Sequence, residues 1–554
     1  MSTTPSDRTP SRLRIALIAI AGVVVIALAI GIPALLGGGS PEPAATTPAP
    51  SETPVAAPTP TPDPAAQLDV PGYEPNPGPF SLTPVAEAEG ETIDAALALD
   101  AGTARSGDVL GFSFEATELA SPAWGSADSN IEPMLAALDQ PILRFGGVTV
   151  DRRTWWTSAD EPAPEWARAT VTPADLERVA ATAEAVDAEV TIALDLGHDD
   201  PQRAADMAAH AREAFGERLL AISIGNEPNG YHHPDDPERS IRGEDWTTDA
   251  YRESLRTYAD AIEEVAPGMP IAGPGAFDAA WWRAFAEAEL PTASALTMHW
   301  YPLYSCGTAN PHANATIENL TSPEMRERAQ RFVGRGVEAA SELGLPLWVE
   351  ETGPTSCSGG NETSRTHAQA LWTTDFALTL QEAGASRVAL HSTLQACRGG
   401  APMSPICASG PHGDPGELFS GRTSFLAMMQ LGWLPEGQTL LPTVSGDGEV
   451  FVHGVIGDDG SLALMVVDQR DPQTAAGAAP VRISAPTGVP DAPASWTLTD
   501  GSRLSAPTLD ATQSTLGAPT ALEGAFADAE LTPEQPLTIT SEPGSTTLLR
   551  FSAP

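Results

Sequence analysis

Not one lysine occurs among the 554 residues, so all 29 side chains of the Lys and Arg class are arginines. That absence excludes Schiff-base chemistry and a phosphate loop of the G-x-x-x-x-G-K type, both of which need an amine. Positive charge is scarce altogether, with 73 acidic residues leaving a formal net charge of −44. A chain this acidic offers no dense basic face for nucleic acid or for a heavily sulfated polymer. The acidity reads instead as a solvated surface that keeps the protein soluble. Cysteine is also scarce: Cys306, Cys357, Cys397 and Cys407 are the only four, and their spacing is not that of a zinc site. No pair of histidines has metal-ligand spacing either, so neither metal nor cofactor is expected.

What is present is organised in blocks. Arg8, Arg12 and Arg14 precede an apolar run from Ile15 to Leu36, long enough to span a bilayer with residues 1–14 on the cytoplasmic side. A membrane anchor is therefore expected over residues 15–36, placing the rest at the extracellular face of the membrane, or secreted if the segment is cleaved. Outside the cell the even cysteine count suggests two disulfides. Cys397 with Cys407 would be a local staple, leaving Cys306 with Cys357, although sequence alone permits all three pairings. Residues 37–70, rich in Pro, Ala and Thr, read as a disordered stalk.

From residue 108 short apolar runs alternate with amphipathic segments. The runs are Val109–Phe114, Pro141–Gly147, Val190–Leu196, Leu219–Gly225, Pro270–Gly275, Ala295–Tyr301, Leu345–Glu351 and Arg387–Ser392. Helical stretches follow most of them, as at Thr172–Val186, Pro201–Phe215, Thr248–Val265, Pro323–Leu343 and Thr363–Glu382. Eight such repeats predict an α/β fold, a (β/α)8 TIM barrel over 108–434. A doubly wound sheet would want a Gly-rich turn after the first strand, which Gly111-Phe112-Ser113-Phe114-Glu115 does not supply. After Pro435 the helical pattern vanishes. Val450–Val455 and Leu462–Val467 flank a Gly-Asp-Asp-Gly turn, so residues 435–554 read as a β-sandwich domain that strands within 71–107 join.

In such a barrel chemistry gathers where the strands end. The fourth run ends in Gly225-Asn226-Glu227-Pro228-Asn229, and alternation turns Ser223, Gly225 and Glu227 toward the barrel centre. The seventh ends in Trp348-Val349-Glu350-Glu351-Thr352, where alternation puts Leu347, Val349 and Glu351 on one face. Two carboxylates facing each other across a barrel suit glycoside hydrolysis, one as general acid and the other as nucleophile; a separation of about 5–5.5 Å marks a retaining enzyme.

The motifs Leu143-Arg144-Phe145-Gly146-Gly147-Val148-Thr149-Val150-Asp151, Gly225-Asn226-Glu227-Pro228-Asn229, His299-Trp300-Tyr301 and Trp348-Val349-Glu350-Glu351-Thr352 resemble, in order, glycoside hydrolase family 79, the heparanase and β-glucuronidase family. Ser358-Gly359-Gly360 through Leu371-Trp372-Thr373-Thr374-Asp375 continues the likeness. It implies Glu227 as acid/base and Glu351, the glutamate followed by Thr352, as nucleophile in preference to Glu350. Tyr301 would hydrogen-bond the nucleophile, and Asn226 and Asp151 would contact sugar hydroxyls. Glu115, ending the first strand, is a further candidate for binding substrate. The resemblance implies an exo-acting β-glucuronidase on extracellular glycans, with the sugar carboxylate held by backbone amides and hydroxyls. The rival readings are another retaining β-glycosidase, xylosidase- or glucosidase-like, and a non-catalytic cell-surface glycan-binding protein. The pairs Trp155-Trp156 and Trp281-Trp282 read as aromatic core before sugar platforms, and His198, His299 and His391 as satisfied strand-end residues.

Overall fold

The computed structural model describes residues 66–99, 104–105, 109–307, 310–357, 362–398, 401–408 and 418–554. The expected anchor over 15–36, nearly all of the stalk, and residues 358–360 of the motif region lie outside the described residues. Among the described residues no helix is long and apolar enough to cross a membrane.

Eight parallel strands close a barrel: Leu110–Glu115, Ile142–Gly146, Glu189–Leu194, Leu219–Ile224, Ile271–Pro274, Ala293–Trp300, Leu347–Thr352 and Ala385–Ser392, here called the first to eighth barrel strands. All eight expected runs are strands, because each is short, apolar and closed by a polar or turn-forming residue. Side chains pointing outward, such as Phe112, Leu143, Ile192, Ile222, Leu296 and Val388, join a core built with the surrounding helices. Most inward positions are small or polar; Ala221, Ala272 and Ala295 leave room for the one large inward ring of their layer, Trp348, and the four pack together. The helices begin where their caps dictate. Thr172 and Asp175 form a capping box ahead of Pro173–Ala185, and Asp200 accepts from the Arg203 amide ahead of Pro201–Phe215.

Apart from two small two-stranded sheets, Thr154–Trp156 with Ala169–Val171 and Ile406–Ala408 with Phe419–Gly421, the other strands build one hydrogen-bonded assembly of thirteen rather than two separate sheets. Gly437–Val444 is the reason. Gly437–Leu440 pair with the next strand, Val450–Gly457, whereas Leu441–Val444 pair with Ile93–Ala98. One strand thus passes from one half of the assembly to the other and turns the corner between them. The halves enclose a core that includes Leu97, Leu440, Val452, Leu464, Val481, Ile539 and Leu549.

Helix His367–Glu382 lies between barrel and strands and is buried on every side. Ala377 and Leu378 meet Val455, Met465, Val467 and Leu548, while Trp372, Phe376 and Leu380 belong to the barrel core. Its sequence lacks a polar stripe because it has no solvent face.

Candidate active site

The fourth strand brings Glu227 to the barrel mouth through a left-handed backbone, φ 48° and ψ 59°, that turns the chain into Pro228–Gly230. Its amide donates to the Gly275 carbonyl beyond the fifth strand at 3.2 Å. A non-glycine residue held in this conformation is strained, and such strain gathers where a side chain must be aimed.

The seventh strand presents Glu351, though not by simple alternation. Trp348 packs inside the barrel and Val349 outside it. The register then slips: Met298 pairs with Val349, but His299 pairs with Glu351, leaving Glu350 as a bulge. The inward face expected for Leu347, Val349 and Glu351 together is therefore incorrect. Leu347 and Val349 face the helices, and the bulge turns Glu351 inward after Glu350. Glu350 is buried below the mouth with Ser223 Oγ 3.5 Å from its Oε2, whereas Glu351 lines the open cleft.

Glu351 is closely held. Arg144 Nη1 donates to Oε2 at 2.7 Å and the Tyr301 hydroxyl donates to Oε1 at 2.8 Å. Burial alone would raise its carboxyl, but the facing His299, His391 and Arg144 outweigh that and keep it well below the usual carboxylate range. Glu227 differs: its side chain is 37 % exposed against 8 % for Glu351, and His299 Nδ1 meets it at 3.3 Å. Arg144 Nη2 lies 3.3 Å from Nε2 of the same histidine. One oxygen of Glu227, one of Glu351 and a nitrogen of His299 all lie within 4.8 Å of one another.

Arg144, quoted in a motif but not singled out by sequence reasoning, organises this group. Its guanidinium also donates to Ser113 Oγ and Asn226 Oδ1, each at 2.7 Å. The signal was there: an arginine within Ile-Leu-Arg-Phe-Gly, on a strand buried at every position, must find a buried anion.

The other expected residues separate. Tyr301 reaches the nucleophile candidate, and Asn226 sits beside it on Arg144. Asp151 is buried and takes part in no cleft surface: its Oδ1 accepts from the Leu196 and Gly197 amides at 2.8 and 2.9 Å and its Oδ2 from the Asn226 amide at 3.1 Å. It ties the ends of the third and fourth strands rather than facing a sugar hydroxyl. Burial, followed by the nearby Asp195, pushes its carboxyl up to about 7. Glu115 accepts from the Thr149 amide and hydroxyl at 3.0 and 2.6 Å and lies 3.6 Å from His391 Nε2. Trp156 and Trp282 are core, as expected, and Trp155 is covered by the Arg203 guanidinium.

The cleft over these groups measures about 750 Å³ and is lined by Glu227, Glu351, His299, Tyr301 and His391 together with apolar residues. A larger hollow of about 970 Å³ lies between the helices Pro173–Ala185 and Pro201–Phe215, away from the cleft, and is lined by residues that include Glu177, Glu184, Asp187 and Glu213.

No family model matches the chain, and neither does any curated protein sequence. Solved structures do. A 4-O-α-L-rhamnosyl-β-D-glucuronidase from Fusarium oxysporum aligns with TM-score 0.62 at 17 % identity, over 83 % of this chain and 100 % of its own. A family 51 arabinofuranosidase from Xanthomonas axonopodis pv. citri gives 0.59 at 16 %, with the same coverages. A bifunctional glucanase-xylanase from a metagenome library gives 0.55 at 14 %, over 84 % of this chain and 100 % of that one. The fold is the one these glycoside hydrolases share. In the described residues both disulfides are formed, Cys306–Cys357 and Cys397–Cys407; the first ties the loops beyond the sixth and seventh strands beside the cleft.

Proposed function

We propose that the protein is a retaining glycoside hydrolase in which Glu227 is the acid/base and Glu351 the nucleophile. The observation that carries this reading is the approach of their carboxylate oxygens to within 4.8 Å across one cleft. Such a gap resembles the roughly 5–5.5 Å of retaining enzymes and leaves no room for an attacking water. The asymmetry of surroundings supports the roles: Arg144 keeps Glu351 ionised for attack on the anomeric carbon, while the more open Glu227 reaches the glycosidic oxygen.

The finer reading is an exo-acting β-glucuronidase, supported by the ordered motifs and by the glucuronidase among the structural neighbours. A second reading, a β-glycosidase for a neutral sugar, is favoured by one observation. No arginine lines the described cleft, and Arg144 below it already serves Glu351, Ser113 and Asn226. A glucuronide carboxylate would depend on amides and hydroxyls. The proposal also tethers the enzyme through residues 15–36 at the extracellular face, a placement consistent with two disulfides.

The test is hydrolysis of chromogenic β-D-glucuronide, β-glucoside, β-xyloside and α-L-arabinofuranoside by the full-length protein, with the product anomer followed by proton NMR. Turnover of the glucuronide alone, with retention, is the expected result. Turnover of a neutral glycoside instead selects the second reading. Inversion removes the nucleophile role, and no cleavage at all moves a glycan-binding function ahead.

A further inference from the structure

The mouth of the barrel is asymmetric about the line from Glu227 to Glu351. Toward the first, second and eighth strands the groups beside it include a linked polar set, Glu115, Thr149 and His391, together with the apolar Val148 and Met403. Toward the fifth and sixth strands they are aromatic, Phe277 and Tyr304. Six large hydrophobic residues are exposed on the described surface, and three of them, Val148, Phe277 and Tyr304, line this one cleft. Exposure so concentrated marks a surface that is covered when the site is occupied.

Neither ring is exposed for want of order. Phe277 directly precedes Asp278, which caps helix Ala279–Glu287 by accepting from the Ala280 amide. A hydrophobic residue in that place usually folds back onto the first turn. Here Phe277 stays 53 % exposed, while Trp282 fills the inner position and donates to the Ala276 carbonyl at 2.8 Å. Tyr304 is 58 % exposed, yet its backbone is pinned. The adjoining Leu303 donates to Pro354 and accepts from Ser356, and the Cys306–Cys357 bridge closes the loop two residues on. The Tyr304 hydroxyl accepts from Asn310 at 3.0 Å. Rigid, partly wet aromatic rings give up little entropy when a ligand covers them.

Their position assigns the ligand. The acid must stand beside the glycosidic oxygen, so the leaving group extends from Glu227, and Phe277 lies on the loop whose Gly275 carbonyl accepts from the Glu227 amide. We propose that Phe277 and Tyr304 form a leaving-group subsite for a flat apolar face, either the hydrogen-bearing face of a sugar ring or an aryl aglycone. This proposal rests on the retaining-glycosidase reading. No cationic side chain joins the two rings among the described cleft residues, so the subsite does not select an anionic leaving group.

The experiment compares kcat/KM on three substrates sharing one glycone: the glycosyl fluoride, whose leaving group has no face; the aryl glycoside; and the β-linked disaccharide. Phe277→Ala, Tyr304→Ala and Phe277→Tyr are assayed beside the unaltered protein. The expected result is that each Ala variant lowers the ratio of aryl glycoside or disaccharide to fluoride by about tenfold, with Phe277→Tyr restoring most of it. A fall confined to the aryl glycoside assigns an aglycone, and a fall confined to the disaccharide a sugar. If all three substrates fall in proportion, or none falls, the subsite is overturned. Failure of the unaltered protein to cleave any glycosyl fluoride, with glucuronyl, glucosyl and xylosyl forms all tried, overturns the glycosidase reading itself and this proposal with it.

Discussion

Among the described residues, two buried ionic clusters are built from the same kinds of residue. At the barrel mouth Arg144 pairs with Glu351 beside His299; between barrel and strands Arg326 pairs with Asp375 beside His453. In both, arginine, carboxylate and histidine are nearly free of water. In the second, every oxygen of Asp375 is taken. Oδ1 accepts from Arg326 Nε and His453 Nε2 at 2.9 and 3.0 Å, and Oδ2 from Arg326 Nη2 and Gln469 at 3.0 and 3.2 Å. In the first, Glu351 takes one strong donor on each oxygen and still lines an open cleft. Perturbed ionisation belongs to both, so it does not by itself mark a site; access to a cleft with a lone pair to spare does.

Substitutions should separate the clusters. Glu351→Gln is expected to lower kcat by at least about 10³ while the protein stays folded, since a lost nucleophile is not replaced by its neighbours. Glycosidase kinetics beside a thermal melt check this, and a retained kcat transfers the nucleophile to another carboxylate. Asp375→Asn is expected to do the reverse, costing about 3–5 kcal/mol of stability by leaving Arg326 and His453 buried without their anion, with kcat unmoved in the folded fraction. Denaturant unfolding reads the cost.

Acidity and alkalinity should sharpen the contrast. Although burial disfavours the charged ring, Glu382 at 2.7 Å and Asp375 push the His453 pKa up to about 9. A raised histidine stabilises fully below its unfolded value near 6.5, and that stability, roughly 3 kcal/mol, is lost as pH climbs from there through 9. Asp375, lowered to about 2 because Arg326 and His453 outweigh its burial, contributes above pH 3.8 and loses that contribution as pH falls toward 2. Unfolding measured from pH 6 to 9.5 should therefore show a decline that His453→Gln flattens. An equal slope in the variant would assign the decline elsewhere.

The comparison also explains what could be read in advance. Barrel strands were legible because apolar runs and their terminal polar residues are local signals. Glu227 was legible too, since Ile222, Ser223 and Ile224 alternate without interruption. Glu351, singled out by its motif, does line the cleft, but its inward aim comes from a bulge, which depends on the register of neighbouring strands and leaves no mark in periodicity. The partners of Asp375 and Asp151 were hidden for a similar reason: they are 49 to 94 and 45 to 75 positions away in sequence. The corner strand Gly437–Val444 contains Pro442, and Ala479–Ile483 contains Pro480, residues that ordinarily argue against a strand.

The smallest expected effects come from removing a single donor in each cluster. Gln469→Leu takes one hydrogen bond from Asp375 and should cost about 1 kcal/mol of stability and nothing in rate. Tyr301→Phe takes the 2.8 Å donor from Glu351 Oε1, and its consequence depends on which step is watched. On the proposed retaining mechanism, Glu351 loses charge as it bonds to carbon in forming a glycosyl-enzyme, so the donor matters less as that step proceeds. In the hydrolysis that follows, Glu351 departs as a carboxylate, and the hydroxyl stabilises the charge that returns. With an activated aryl leaving group, where the second step limits turnover, kcat should fall about tenfold while kcat/KM, which reports the first step, falls less. Equal losses in both would make Tyr301 a residue that only holds Glu351 in position, and burst kinetics on the same variant would separate the cases directly.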